Sequence, residues 1–279
     1  MKKILLLTDF SENSINAMRY ALQLYYNDFC DFIVMNIHDS MTYTTDDLMV
    51  SKPNESIYEA LIKENNEKLK RIVNDLKRRS NNRLHTFYPV VDYDVFVDAI
   101  KQAILKHNIE YVVMGTNGAS NLREALLGSN ALKVLRTINC NTLVVPEGHS
   151  YRKLEKILLA LDIDDYADHK TVVDIINLVK QLDIDIKVVR FLSSEDNLQA
   201  KINLDKELLL ELLNEKKFTY DTVYGLSLST ILIDDNLSKG ADMITLVGQF
   251  KGFFERLFTD PSKTKISKNL LLPLMVFHH

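Results

Sequence analysis

The chain has 279 residues, 46% hydrophobic and 26% charged, with a formal net charge of −4 and a pI near 6.0. This length holds two ordinary domains or one large one, and the acidic balance argues against a nucleic-acid partner, which calls for a basic excess. No stretch approaches the roughly 18 uncharged apolar residues of a membrane helix, the apolar run Ile4 to Leu7 is too short for a signal sequence, and Cys30 and Cys140 stand far apart outside any CxxC, so neither a disulfide scaffold nor a zinc site is indicated.

In chain order, "KKILLLTDF" reads as a buried strand ending in Asp9. "SENSINAMRYALQLYY" places Ile15, Met18, Leu22 and Tyr25 on one helical face, with Ser11 as N-cap. "DFIVMNIH" is a second strand, ending in Ile37 and His38. A polar loop through 39–53 leads into a long amphipathic helix with Ile57, Leu61, Leu69, Ile72 and Leu76 on one side. The basic run "KLKRIVNDLKRRS" (68–80) belongs to that helix and reads as its solvated face. "RLHTFYPVV" is a third strand, "DVFVDAIKQAILKH" a third helix, and "EYVVMG" a fourth strand. "SNALKVLRTI" is a helix and "NTLVVP" a fifth strand. Alternating short apolar strands and helices predict a parallel sheet covered on both faces.

The pattern then restarts after a polar linker, "EGHSYRKLE" (147–155). "EKILLALDI" repeats the first strand 153 residues later and puts Asp162 at the position of Asp9. "HKTVVDIINLVKQL" and "DIKVVRFL" follow as helix and strand. "DMITLVG" mirrors "EYVVMG" at an offset near 133, which aligns Gly248 with Gly115, and "LPLMVF" mirrors "NTLVVP" near 132. The shrinking offset means that much of the 39–80 segment is missing from the second copy. The expected fold is α/β: two tandem open five-stranded parallel-sheet units of Rossmann-like type, residues 1–147 and 152–279, packed as an intramolecular pseudo-dimer through their final strands. Two separate sheets are expected, not one continuous mixed one.

One stretch gathers three of the eight glycines: "GTNGASNLREALLGSN" (115–130), with a short apolar-faced helical turn predicted over 121–127. Ligands of open parallel sheets sit beyond the carboxyl ends of the strands where strand order reverses, and Asp9, Ile37, His38 and Gly115 all end strands. Glycine admits close backbone approach. Gly128-Ser129-Asn130 opens a helix whose N–H groups and partial positive charge suit a phosphate, with the Ser129 hydroxyl as a further donor. Asp9 is placed to accept from a ribose or base amine. A strand-end glycine is by itself only a turn signal, and neither the P-loop nor GxGxxG occurs. Spacing therefore leaves a plain turn and a nucleotide cradle both open.

The spacing G-x2-G-x9-G-S at Gly115, Gly118, Gly128 and Ser129, together with "TDFS", "VVMGTNGAS" and "NCNTLVVP", resembles the ATP-binding members of the universal stress protein family. The resemblance spans the chain as a tandem form, strong over 1–147 and weaker over 152–279, where "ADMITLVG", "FFERLF" and "LPLMVF" look like a degenerate second domain. It implies the adenine nucleotide-type α/β fold, ATP alone or with Mg²⁺ as ligand, and further dimerisation of whole chains. It places Asp9 at the adenosine and Met114, Gly115, Thr116 and Gly118 at the ribose and α-phosphate, with Thr8 and Ile37 also among the nucleotide-binding residues. Gly128, Ser129, Asn130 and Ala131 fall at the distal phosphates. Leu7 stands where the family often has proline.

The second copy departs further: Gly252 follows Gly248 after only three residues, and "LFTDPSK" (257–263) replaces "LLGSN". Asp260 there sets a carboxylate against a phosphate, a repulsion of roughly 4 kcal/mol at about 4 Å and an effective dielectric of 20, and Pro261 removes a donor. One ATP per chain is expected. No catalyst is legible: GxSxG is absent, the histidines lack metal-ligand spacing, and of the acids and lysine of a phosphoacceptor only Asp9 fits. "DIDDY" (162–166) reads as a strand-end aspartate with solvated neighbours in preference to a Mg²⁺ site. The expectation is an ATP-binding cytoplasmic regulatory protein, at most a slow ATPase, with an unidentified protein partner. The alternative is an interaction module of the same fold that binds no nucleotide.

Overall fold

A computed structural model describes residues 1–38, 57–116, 127–163, 165, 170–192, 199–213, 218–226, 228–232, 234–248 and 270–278, with backbone alone at 57–61 and 229. The strands are β1 (Lys2–Thr8), β2 (Cys30–Ile37), β3 (His85–Asp92), β4 (Tyr111–Gly115), β5 (Asn141–Val145), β6 (Lys156–Leu161), β7 (Asp185–Leu192), β8 (Phe218–Tyr224), β9 (Met243–Gly248) and β10 (Leu274–His278). They form one sheet in the order β3-β2-β1-β4-β5-β10-β9-β6-β7-β8. Each half repeats the same order outward from the centre. All pairs are parallel within a half, and β5 meets β10 antiparallel, with Val144 opposite Leu274 and Thr142 opposite Val276. The final strands thus join the halves as expected. The expectation of two separate sheets is corrected: backbone groups left open at the edges of β5 and β10 are satisfied by one another, and the sheet runs on through the junction.

Helices α1 (Glu12–Leu24), α2 (Ile57–Ser80), α5 (Lys170–Leu182) and α6 (Gln199–Leu213) cover one face. Helices α3 (Phe96–His107) and α4 (Ser129–Thr137) cover the other, with a 3-10 turn at Leu228–Leu232 and the short α7 (Asp235–Ser238) in the second half. Strands buried on both faces need continuous apolar runs, and Ile4, Leu5 and Leu6 are all fully buried, each contributing about 1.5–3 kcal/mol. Helix α1 starts where Ser11 Oγ accepts the Ser14 N–H, as its N-cap position predicts, and α3 stops at Asn108 in the left-handed region. The halves also touch through Gln181 Nε2 to Asp28 Oδ1 (2.9 Å), and the linker packs on α1 through Asn16 Nδ2 to the His149 carbonyl (2.9 Å) and the edge-on pair Tyr20–Tyr151.

Helix α6 and strand β8 went unread in the sequence. Helix α6 has 15 residues against 24 in α2, in line with the shorter second copy. It is held by a charge network inside the protein. Arg190 on β7 is fully buried, its Nε and Nη2 each 2.6 Å from Asp205 Oδ2 on α6; Nε also reaches Tyr220 Oη (3.0 Å). Arg190 Nη1 donates to the Asp162 carbonyl (2.7 Å) and Lys201 to that of Ile163. Asp165 is not solvated, contrary to expectation: it is 5% exposed and its Oδ2 accepts the Asp162 N–H at 2.7 Å. Burial, first, pushes its carboxyl from 3.8 up to about 7; the Asp162 charge adds to this, while that backbone bond, Arg190 and Lys201 oppose it.

Two outcomes follow. Asp205→Ala leaves a buried guanidinium without its counter-charge and is expected to cost about 3–5 kcal/mol in denaturant unfolding, with a much smaller loss in Arg190→Met/Asp205→Leu; a loss under about 1 kcal/mol in the single variant contradicts the network's role. For Asp165, the folded pKa lies above the unfolded one. Between about 4 and 7 the folded state therefore binds more protons, and this group's contribution to stability falls as pH rises. Asp165→Asn should flatten that part of the wild-type stability profile, and an unchanged slope would count against it.

Candidate functional site

In the first half the strand order reverses between β1 and β4, so a crevice opens beyond Thr8 and Gly115. Thr8 is buried, and its Oγ1 lies 2.9 Å from Ser14 Oγ and accepts the Phe10 N–H at 2.9 Å. Its carbonyl accepts from Asn36 Nδ2 (2.7 Å) on β2. Asp9 is exposed, and its Oδ1 accepts from both Ser11 Oγ (2.6 Å) and Ser11 N (3.1 Å). This ties the carboxylate to the start of α1 and fixes its position at the crevice mouth.

On the β4 side, Thr116 N donates to the Val145 carbonyl (3.1 Å), and the Thr116 carbonyl accepts the Gly128 N–H (2.7 Å). That second bond brings the two ends of the glycine stretch together, so Gly128 and α4 stand directly beyond β4. The first bond within α4 runs from Leu132 N to the Gly128 carbonyl (3.0 Å). The N–H groups of Ser129, Asn130 and Ala131 thus have no intrahelical acceptor. Gly128 supplies no side-chain cap, and the first turn carries no acidic residue. Ser129 and Asn130 are exposed. Among the described residues, no side chain caps this partially positive helix end beyond β4.

The predicted residues divide. Thr8, Asp9, Thr116, Gly128, Ser129 and Asn130 gather at this crevice. Met114 and Ala131 are buried in the core beneath α3 and α4, and Ile37 packs partly against that core, so the side chains of all three serve packing. Gly118 and residues 121–126 of the turn predicted over 121–127 lie outside the described residues, as do Gly252, Asp260 and Pro261. Gly115 has a structural cause: a Cβ there would lie 2.7 Å from Asn13 Nδ2 and 2.9 Å from its Cγ. The glycine admits the start of α1. The sequence did not single out Asn13, Asn36 or Phe10, which touch Gly115 or Thr8 at the crevice, or Tyr93 beyond β3. The signal available for them was their place within five residues beyond a strand end, or next to the last residue of a strand.

His38, beyond β2, is half-buried; its pKa is lowered by burial first and then by Lys68, with a hydrogen bond involving Asn65 opposing, so it is neutral at pH 7. Cys30 and Cys140 are buried thiols with pKa values pushed up to about 12, mainly by burial, which makes them unreactive. Among the described residues no group of three His, Cys, Asp or Glu could hold a metal ion, and no helix is long and apolar enough to cross a membrane.

Equivalent bonds fix how the halves correspond. Glu110 Oε1 accepts the Lys3 N–H (3.0 Å) and Asp242 Oδ2 the Lys156 N–H (2.9 Å), while Glu110 N and Asp242 N donate back to the Lys3 and Lys156 carbonyls. Glu110 therefore matches Asp242, and Ile4 pairs with Tyr111 as Ile157 does with Met243. Counting forward, Gly115 corresponds to Val247 and Thr116 to Gly248. The alignment of Gly248 with Gly115 is off by one residue. Gly248 is small for a different reason: a Cβ there would meet the His278 ring at 2.8 Å. Likewise Thr8 pairs with Asn36 where Leu161 pairs with Arg190, so the second half replaces an amide with the buried guanidinium.

A profile of the universal stress protein family matches residues 1–146. Among solved structures, the chain is similar to a universal stress protein from Archaeoglobus fulgidus DSM 4304, at 17% identity and a TM-score of 0.70, over 99% of this chain and 96% of that one. It is also similar to a protein of unknown function from Pseudomonas aeruginosa PAO1, at 10% identity and a TM-score of 0.58, over 99% and 92%. The cytoplasmic domain of a prokaryotic cation chloride cotransporter matches at 9% identity and a TM-score of 0.50, over 99% and 95%. At such identities the structural likeness shows the fold alone. No curated protein matches the chain by sequence. The profile covers more than half of the residues, on the half that carries the glycine stretch and the open helix end: the chain belongs to the universal stress protein family.

Proposed function

We propose that this is an ATP-binding universal stress protein with a regulatory role in the cytoplasm, holding one nucleotide per chain. In this reading residues 1–147 form the nucleotide domain and residues 152–279 a structural one. The observation that carries it is the uncapped N-terminus of α4, with exposed Ser129 and Asn130, set directly beyond β4 by the Thr116–Gly128 bond. Three N–H groups and a hydroxyl converge there, and the first turn of α4 carries no carboxylate, which suits a phosphate chain. Asp9, held by Ser11 across the crevice, is the acceptor for ribose or base. Mg²⁺, where it accompanies ATP, is carried mainly by the phosphates and water. Whole chains pair as homodimers, and the output passes to a protein partner.

The second half supports the single stoichiometry. Val247 stands at the place of Gly115 and Leu161 at that of Thr8, removing a glycine and a hydroxyl. The alternative, an interaction module of the same fold without nucleotide, draws on the packing of Asn13 into the space at Gly115. The same fold also occurs in a transporter's cytoplasmic domain, so fold does not choose between them.

Calorimetric titration with ATP is expected to give one site per chain, and two equivalent sites would contradict the asymmetry. Gly128→Asp puts a carboxylate where the phosphates would lie and is expected to abolish binding with the fold retained. Ser129→Ala removes one bond to a charged group, about 1.5–3 kcal/mol. ATP at 100 times its dissociation constant should stabilise the wild type by about 2.7 kcal/mol, seen as a melting shift. That shift should vanish in Gly128→Asp and persist in Asp162→Ala.

A further inference from the structure

Three rings stand in a row just past the carboxyl ends of three neighbouring strands: Phe10 beyond β1, His38 beyond β2 and Tyr93 beyond β3. The Phe10 and His38 centroids are 6.4 Å apart and tilted by 38°, and those of His38 and Tyr93 are 5.9 Å apart and tilted by 22°. All three are half-buried. The row is held in place by backbone bonds: His38 N donates to the Asp92 carbonyl (2.9 Å), and Phe10 N to Thr8 Oγ1 (2.9 Å). Phe10 adopts φ +67°, a region that a bulky side chain enters only when the surroundings enforce it. The Lys68 ammonium lies over its ring, 5.9 Å from the centroid. The hydrophobic core does not demand this: His38 and Tyr93 belong to neither core cluster, and Phe10 only borders one.

The row begins at the reversal point and runs away from α4. Neighbouring strands lie about 4.8 Å apart, so the end of β2 is about 10 Å from that of β4 along the sheet. A ligand with its phosphates at α4 extends its other end towards these rings. We propose that Phe10, His38 and Tyr93 are the base-positioning shelf of this site, and that it takes a purine base by stacking. This rests on the nucleotide reading above. Every base offers a π-face, so stacking favours the larger purines over pyrimidines without reading their edges. The neutral imidazole of His38 suits a place beside a base, where an imidazolium would have to be desolvated next to Lys68.

The test compares wild type with Phe10→Gly and His38→Ala. Glycine adopts positive φ without strain, so Phe10→Gly removes the ring while easing the backbone. ATP affinity is read by calorimetry, and stacking by the fluorescence of 2-aminopurine riboside triphosphate, which is quenched when its base stacks. Each variant is expected to bind ATP about 5- to 150-fold more weakly, the range of base–aromatic stacking, and to lose bound-state quenching while melting near the wild-type temperature without ligand. Unchanged ATP affinity in both variants overturns the shelf and leaves the nucleotide reading standing. So does an unquenched analogue bound to wild type, or weaker binding with quenching retained. Failure of wild type to bind ATP overturns both.

Discussion

The antiparallel pairing of β5 with β10 is the constraint on which the rest of the architecture depends. Parallel strands within a half all point one way, so their carboxyl ends share one edge of the sheet. Joining the halves antiparallel turns the second through half a rotation and sends its carboxyl ends to the opposite edge. The junction residues Leu143, Val144, Leu274, Met275 and Val276 are fully buried, which makes the seam part of the core. The His278 N–H extends it by donating to Asn141 Oδ1 (3.0 Å). The two crevices therefore face away from each other, and no single ligand bridges them.

Separated in this way, the crevices are free to differ. In the first half, short polar side chains (Thr8, Ser14, Asn36) support the strand ends and leave the rim to Asp9, Phe10 and Gly128. In the second, Arg190 reaches from β7 to the Asp162 carbonyl, to Asp205 on α6 and to Tyr220 on β8. A buried ion pair is costly to break and adds little net stability over an apolar equivalent. What it does contribute here is fixed geometry: α6, β8 and the turn after β6 are pinned to one guanidinium. Among the described residues, these groups hold the ends of β6, β7 and β8 in place.

Much of this was legible from the residues. The strands of the first half, the Ser11 cap, the restart at Lys156 and the joining of the final strands follow from apolar runs and turn signals. Helix α6 escaped because "INLDKELLLELL" is apolar on nearly all sides and shows no clear face. Strand β8, "FTYDTVY", carried a period-two alternation that could have been read. Arg190 could not have been recognised as buried: its alternation with Val188 puts it on a core-facing position, but Asp205 and Tyr220, its partners, come 15 and 30 residues later. Likewise, the need for glycine at 115 lies in Asn13, a contact across about a hundred residues.

Gly248 shows how a repeat misleads at single-residue precision. Matching strand-end glycines by letter gives an offset of 133, whereas the paired carboxylates Glu110 and Asp242, each accepting the backbone N–H of its half's first strand, give 132. Hydrogen-bonded pairing sets register, because a slip of one residue would turn every side chain of β9 to the other face. The faces agree: Val113 and Val247 lie in the layer beneath α1 and α5, and Met114 and Leu246 in the opposite one. With that register, the second half has no glycine where the first makes room for Asn13, and the glycine it does have makes room for His278 instead. Two glycines that look like one motif thus serve different neighbours, and the likeness of the halves stops at the crevice.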